Sequence, residues 1–195
     1  MPKFELQFPA ERLGDLAARF AYPDDSDCLT AGAAARARGH YRRDEFLTVC
    51  AWKTERSRPK VAQNDAQAVE RATGVAVSSP DEKRRMEALL ELDGVGVPTA
   101  SALLYFLFPD DYPILDVRAL ESLGVAARTV YPVSFWLEYL EACRALARAN
   151  GVSIRTLDKA LWQHSKERAE AARQAAPGPS PEGDIGWAGR DGETR

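Results

Sequence analysis

The sequence predicts an all-α fold, and three observations support this. Apolar residues recur at the 3.6-residue spacing of a helix, as in residues 10–21, where Leu13, Leu16 and Phe20 share one face. Glycine and proline residues separate such segments at intervals typical of helix lengths. Alternating apolar and polar residues, which would indicate a strand, occur at most in the short stretch 73–78.

The predicted helices follow one another along the chain with short connections. In the first half they cover residues 10–21, 26–38 (ending at Gly39), 42–55 and 60–73 (ending at Gly74). Ser79 is expected to cap the next helix, with Pro80 in its first turn, and this helix runs to about residue 92. The remaining helices are expected at 97–108, 116–123, 133–149 and 154–174. Residues 1–174 thus form one helical domain, and residues 175–195, rich in Gly, Pro and charge, are expected to be a disordered tail.

Composition excludes several classes of protein. Of the 195 residues 45% are hydrophobic and 28% charged, as in ordinary globular proteins. A run of about 18 apolar residues, which a membrane-spanning helix needs, is missing, and the N-terminus does not resemble a secretory signal. The three cysteines lie far apart and match neither zinc nor iron–sulfur spacing. We expect a cytoplasmic monomer that does not bind membranes.

The net charge of −3 conceals a basic segment. Residues 36–60 carry eight bases and three acids, whereas residues 1–35 and 61–112 are acidic. The local charge of a segment attracts a polyanion more than the net charge of the whole protein does. A solvated helix face is nevertheless the simpler explanation of such a basic segment.

The most specific pattern lies between residues 89 and 104, where a Gly-Val-Gly turn separates two apolar helical segments. Glycines allow a sharp turn and leave N–H groups exposed at the start of the second helix, where a phosphate can bind. This pattern resembles the helix–hairpin–helix motif, here spanning residues 87–108. The resemblance implies a DNA-backbone contact through Leu92, Gly94, Val95, Gly96 and Thr99. It also implies that Na⁺ or K⁺ can bind the backbone carbonyls of Leu90, Leu92 and Val95.

Asp116 follows the hairpin at the predicted start of another helix, where an Asp commonly serves as an N-cap. A hairpin followed about 20 residues later by such an Asp resembles the helix–hairpin–helix DNA glycosylase superfamily, with its endonuclease III-like fold. In that family the aligned Asp is catalytic. The segments 52–56 and 155–162 are similar to an uncharacterised bacterial branch that lacks the iron–sulfur cluster. Pro98 stands where bifunctional members have a lysine, so Schiff-base lyase chemistry is not expected there.

Glycosidic cleavage of a flipped base requires stacking partners for the base and contacts to the DNA backbone. The candidate stacking residues are Trp52, Tyr41 and Tyr112, although each could equally be a core residue. Candidate phosphate contacts are Lys53, Arg56, Arg58 and Arg118, together with the stretch 36–43. Lys53 shares a helical stripe with Phe46 and Cys50, so we expect it either to point towards the pocket and pair with Asp116 or to extend to solvent.

Three functions remain compatible with these features. The first is a monofunctional DNA glycosylase that binds double-stranded DNA and hydrolyses the bond to a damaged or modified base, as in base excision repair. The second is a DNA-binding protein that has lost catalysis, and the third is a helical protein-interaction module. The clustered basic charge favours the first two over the third.

Overall fold

The computed structural model describes residues 3–175, and within this range every regular element is helical. Apart from Ala175, the last residue of the final helix, the predicted tail at 175–195 lies outside the described residues. Ten α-helices occur, with short 3₁₀ turns at Ala10–Arg12 and Glu55–Ser57: α1 (Leu13–Ala18), α2 (Ser26–Arg38), α3 (Arg43–Lys53), α4 (Arg58–Val61), α5 (Ala66–Ser78), α6 (Glu82–Leu90), α7 (Val97–Leu107), α8 (Val117–Ser122), α9 (Val133–Ala149) and α10 (Ile154–Ala175). The expectation of an all-α fold is confirmed. None of the helices in the described range is long and apolar enough to cross a membrane.

Helix α7 forms the centre of the molecule. All but one of its residues are buried, and it packs against α2 and α3 on one side and α6 on another. A helix that is apolar all round must be covered on every side, which explains this position. Around it, α5 packs on α6 and α6 on α9, while α10 packs against α1, α8 and α9. Together these helices enclose one continuous hydrophobic core.

The predicted helix at 60–73 is wrong at both ends, because the chain forms two helices there, α4 and α5, separated by residues 62–65. Gly74 does not end a helix: it lies inside α5, which begins at the N-cap Asp65 and continues to Ser78, so the possible strand at 73–78 is helical. The buried stripe formed by Val69, Ala72, Thr73 and Ala76 continues past the glycine and packs on α6, and this burial outweighs the low helix propensity of one Gly.

The N-cap of α6 also differs from the prediction. The cap is Asp81, whose carboxylate accepts the N–H of Arg84 at 2.8 Å, two residues after the predicted cap Ser79. The Ser79 hydroxyl instead accepts the N–H of Asp81 at 3.1 Å. The chain therefore completes a tight turn through Pro80 before the helix begins.

Candidate functional site

The turn between α6 and α7 is held against the basic segment. Gly94 has φ +75°, and a Cβ placed there would lie 2.7 Å from the Cβ of Lys60 and 2.8 Å from the N of Val61. Only glycine accommodates both this backbone conformation and this approach. Because α4 lies directly against the turn, the basic segment and the glycine-rich turn occupy one face of the molecule.

Asn64 fixes the same junction. Its side-chain N donates to the carbonyls of Val61 and Asp93, both at 2.9 Å, and its side-chain O accepts the N–H of Asp93 at 2.9 Å. The side chain is almost fully buried. Sequence reasoning missed this residue, since an isolated Asn between two helices gives no signal of such a role.

Gly96 is the N-cap of α7. Neither its backbone conformation nor the packing around it requires a glycine at this position. Its φ is −99°, and an added Cβ would meet only the Cδ of Pro98, at 3.8 Å. The residue is exposed, and the N–H groups of Gly96 and Val97 donate to no acceptor within residues 3–175. Two amide donors are thus available at the start of an 11-residue helix.

The carbonyl oxygens predicted to bind a monovalent cation are not fully used in hydrogen bonds among the described residues. Those of Leu90 and Val95 accept no hydrogen bond from the described residues. The carbonyl oxygen of Leu92 accepts the N–H of Val95 at 3.1 Å, and its second lone pair stays available for a ligand. The side chains of Leu92 and Val95 lie in the core, so only their backbone groups can contact a ligand.

Asp116 is both an N-cap and one partner of an ion pair. Its Oδ1 accepts the N–H of Ala119 at 2.8 Å at the start of α8, which confirms the expected capping. Its Oδ2 lies 3.8 Å from the Nζ of Lys53 on α3. The Lys53 side chain is only 12% exposed, so the lysine points inward towards Asp116 and not to solvent.

Asp116 and Lys53 border a small cavity of about 20 Å³, enough for roughly one water molecule. Its wall is largely aromatic and also includes two further acids and a second lysine. The lining residues are Phe20, Tyr22, Asp25, Trp52, Lys53, Tyr105, Ile114, Asp116, Asp158, Lys159 and Trp162. The cavity brings together the segments 52–56 and 155–162, which are far apart in the sequence.

Aromatic rings pack edge to face around this cavity. Tyr22 lies between two tryptophans, with ring centres 4.9 Å from Trp52 and 5.1 Å from Trp162. Burial, followed by the nearby charge of Asp116, raises the pKa of Tyr22. The rings leave no room for a nucleobase in this conformation, so a base could enter only if they move.

An open groove of about 370 Å³ adjoins the cavity and shares Lys53 and Asp116 with it. It runs from Arg56 and Thr54 past the start of α7, at Pro98 and Thr99, to the loop 128–131. Arg56 is exposed, and Arg128 lines the opposite side. The groove therefore joins basic side chains and the Asp116 carboxylate, and it passes the first turn of α7, next to the amide donors of Gly96 and Val97.

Two predicted stacking residues do not line the cavity. Tyr41 is completely buried, and its hydroxyl donates to the carbonyl of Leu103 at 3.1 Å. Tyr112 is nearly buried, stacked on Trp136, and its hydroxyl donates to Glu82 at 2.5 Å. Each phenol is held by a hydrogen bond inside the fold, so the expectation that these two tyrosines stack on a base is corrected; Trp52 does line the cavity.

The basic segment is divided between internal and exposed roles. Arg38 forms a two-pronged ion pair with Glu45 at 2.7 and 2.8 Å, and Arg43 donates to the carbonyls of Asn64 and Ala62. These two arginines therefore stabilise the fold. Arg56, Arg58 and Lys60 are exposed beside the turn, whereas Arg118 lies with its guanidinium carbon 5.2 Å from the ring centre of Trp162.

Asp158 was missed by sequence reasoning, although a signal was present. It lies on α10 between Leu157 and Leu161, both fully buried, so an acid occupies the apolar stripe of an amphipathic helix. Its Oδ1 accepts the N–H of Ile114 at 2.8 Å. Burial, followed by the charge of Asp116, raises its pKa to about 7, against the opposing effects of the Ile114 N–H, Lys53 and Arg155.

Comparison of the chain with protein-family models, with curated proteins and with solved structures gives no match.

Proposed function

We propose that this protein is a monofunctional DNA glycosylase that hydrolyses the N-glycosidic bond of a damaged or modified base flipped out of double-stranded DNA. The observation that carries the proposal is the position of Asp116. Its carboxylate is held by a backbone N–H and by Lys53 at the point where the basic groove meets the aromatic cavity. A helix–hairpin–helix glycosylase needs its carboxylate where the backbone contact and the base pocket adjoin.

The proposed backbone contact uses the turn between α6 and α7. The N–H groups of Gly96 and Val97 have no acceptor within the described residues and lie at a helix N-terminus, which favours a phosphate, and no side chain at Gly96 obstructs its approach. Arg56 in the groove and Lys60 beside the turn supply positive charge. A K⁺ or Na⁺ ion bound by the carbonyls of Leu90, Leu92 and Val95 would add positive charge at the same phosphate. Contacts of this kind bind DNA without reading its sequence.

The proposed chemistry depends on one carboxylate. Loss of the base develops positive charge on the deoxyribose, which the Asp116 carboxylate stabilises by proximity. Asp116 then accepts a proton from the water that attacks C1′. Lys53 holds the Asp116 carboxylate in place through their ion pair. When the rings around the cavity move apart, Trp52 and Tyr22 offer aromatic faces for the flipped base.

Base release from defined duplexes tests this proposal. Purified protein is incubated with duplexes that carry uracil, hypoxanthine, an alkylated base or an oxidised base, and alkali then reveals abasic sites. We expect release from at least one duplex and its loss in Asp116→Asn, because asparagine still caps α8 but has no carboxylate. Asp81→Asn is the matched control, since Asp81 caps α6 through the same 2.8 Å bond.

A DNA-binding protein without catalysis is the second candidate, favoured by the small volume of the cavity. It predicts salt-dependent binding of duplex DNA with no product from any substrate. Absence of binding even at low salt would refute both candidates and leave the protein-interaction module, because phosphate contacts dominate affinity under those conditions.

A further inference from the structure

Asp158 is a buried acid that the proposed reaction has not used. It is 8% exposed, lies on α10, and borders the same cavity as Asp116. A carboxyl group in the apolar stripe of a helix destabilises the fold unless it is neutral or fully paired. Its place beside the candidate catalytic group therefore requires an explanation.

The hydrogen bond to Ile114 orients Asp158. Because Oδ1 accepts the N–H of a residue only two positions before Asp116, the segment 114–116 positions both carboxyl groups. Oδ2 of Asp158 forms no hydrogen bond within the described residues and is free to carry a proton into the cavity. The two carboxyl groups approach from different helices, one at the start of α8 and the other on α10.

The charged groups around the two acids differ. Asp116 has Lys53 within 3.8 Å. Arg155, on the same helix as Asp158, is bound to the Asp25 carboxylate at 3.0 Å and to the Tyr105 hydroxyl. Asp158 faces the negative charge of Asp116, the smaller opposing effects of Lys53 and Arg155, and the neutral phenols of Tyr105 and Tyr139. Asp25 and Lys159 line the same cavity. A carboxyl group so placed holds its proton to about neutral pH, as the raised pKa indicates.

We propose that Asp158 is the general acid of the site and protonates the departing base, while Asp116 stabilises the sugar cation and accepts the proton of the attacking water. This inference rests on the proposed glycosylase function. In the step, the C1′–N bond breaks, its electron pair stays on the base nitrogen, and that nitrogen takes the Asp158 proton. Water forms the new C1′–O bond and gives its proton to Asp116. Transfer of that proton from Asp116 to Asp158 restores the starting state of the enzyme. The net reaction consumes one water molecule for each base released.

The assignment defines a substrate class. A base that is uncharged in DNA, such as uracil or hypoxanthine, leaves as an anion unless it is protonated. A base that is already cationic, such as N7-methylguanine, leaves as a neutral molecule and needs no acid. A retained proton on Asp158 therefore suits the release of uncharged bases.

The test compares the two classes of base in Asp158→Asn. The asparagine carbonyl can still accept the N–H of Ile114, so the segment before Asp116 stays in place, but the proton is lost. We expect kcat for an uncharged base to fall by about 10²- to 10⁴-fold, the range that a general acid contributes. Release of N7-methylguanine should change less than about threefold, and Asp81→Asn should leave both rates unchanged. In the unsubstituted protein, the rate of release of the uncharged base should decline above about pH 7. The rate of the variant should show no such decline.

The possible results separate failure of this inference from failure of the proposed function. An equal loss on both classes of base would show that Asp158 only positions its neighbours, and no loss on either would show that its proton is not used. Either result refutes the assignment while leaving glycosylase activity in place. If the unsubstituted protein releases no base at all, the glycosylase proposal fails as well.

A titration followed by carboxyl ¹³C NMR tests the pair without any substrate. Asp158 should titrate near neutral pH, and its midpoint should fall in Asp116→Asn, because the neighbouring negative charge is removed. A midpoint below about pH 5 in the unsubstituted protein would overturn the assignment, since the group would then hold no proton at neutral pH.

Discussion

The raised pKa of Asp158 predicts that the stability of the fold depends on pH. Burial moves this pKa from 3.8 to about 7. Between these pH values the folded chain retains a proton that the unfolded chain has released. The free energy of unfolding therefore decreases as pH rises through this interval. The stabilising contribution is complete below the unfolded pKa and is lost above the folded one. A shift of about three units corresponds to about 4 kcal/mol over the whole range.

The measurement is urea unfolding of the unsubstituted chain and of Asp158→Asn, followed by tryptophan fluorescence. Between pH 5 and pH 8 the unsubstituted chain should lose about 2.5 kcal/mol that the variant does not lose. Taking the difference between the two proteins removes the contributions of other titrating groups, such as Glu167, whose pKa is lowered chiefly by a hydrogen bond from Arg19. A difference that stays constant with pH within about 0.5 kcal/mol would refute the reasoning, because the buried carboxyl would then be ionised throughout.

Three further predictions concern the turn, the core and the groove. Gly94→Ala should lower the free energy of unfolding by about 2–4 kcal/mol, because the added Cβ overlaps Lys60 and Val61 and the backbone there is left-handed. Gly96→Ala should change the free energy of unfolding by about 1 kcal/mol or less. It should nevertheless weaken DNA binding in a filter-binding assay. Tyr41→Phe should cost about 1 kcal/mol in urea unfolding, through its lost hydrogen bond, and leave DNA affinity unchanged. Arg56→Ala should reduce the slope of log K against log salt by about one, and the exposed Arg148→Ala should not.

Local sequence signals predicted much of the helical framework. The helix at 26–38 ends at Gly39 as expected. Gly39 has φ +98°, the left-handed conformation that commonly ends a helix and that residues other than glycine rarely adopt. The prediction failed at Gly74, where the same residue type lies inside a helix. The two glycines differ in the tertiary packing of the residues that follow them, which no local pattern records.

The candidate site was predictable only in part. Asp116 and Lys53 could be inferred from a motif and from a helical stripe, and the structure brings them within 3.8 Å. Asp158 and Tyr22 come from segments distant in sequence, so their approach depends on how α10 and the chain before α2 pack. Tyr41 shows the opposite error, because an aromatic residue beside basic residues looks equally suited to the core and to a ligand.

The amide of Asn64 determines how the proposed DNA-binding face is assembled. By bonding to Val61 on one side and to Asp93 on the other, it joins the basic segment to the glycine-rich turn as one rigid unit. The spacing between the positive side chains and the exposed N–H groups is thus set when the protein folds. A polyanion that meets this face would not have to order it, so little conformational entropy would be lost on binding, and the association rate would be limited mainly by encounter.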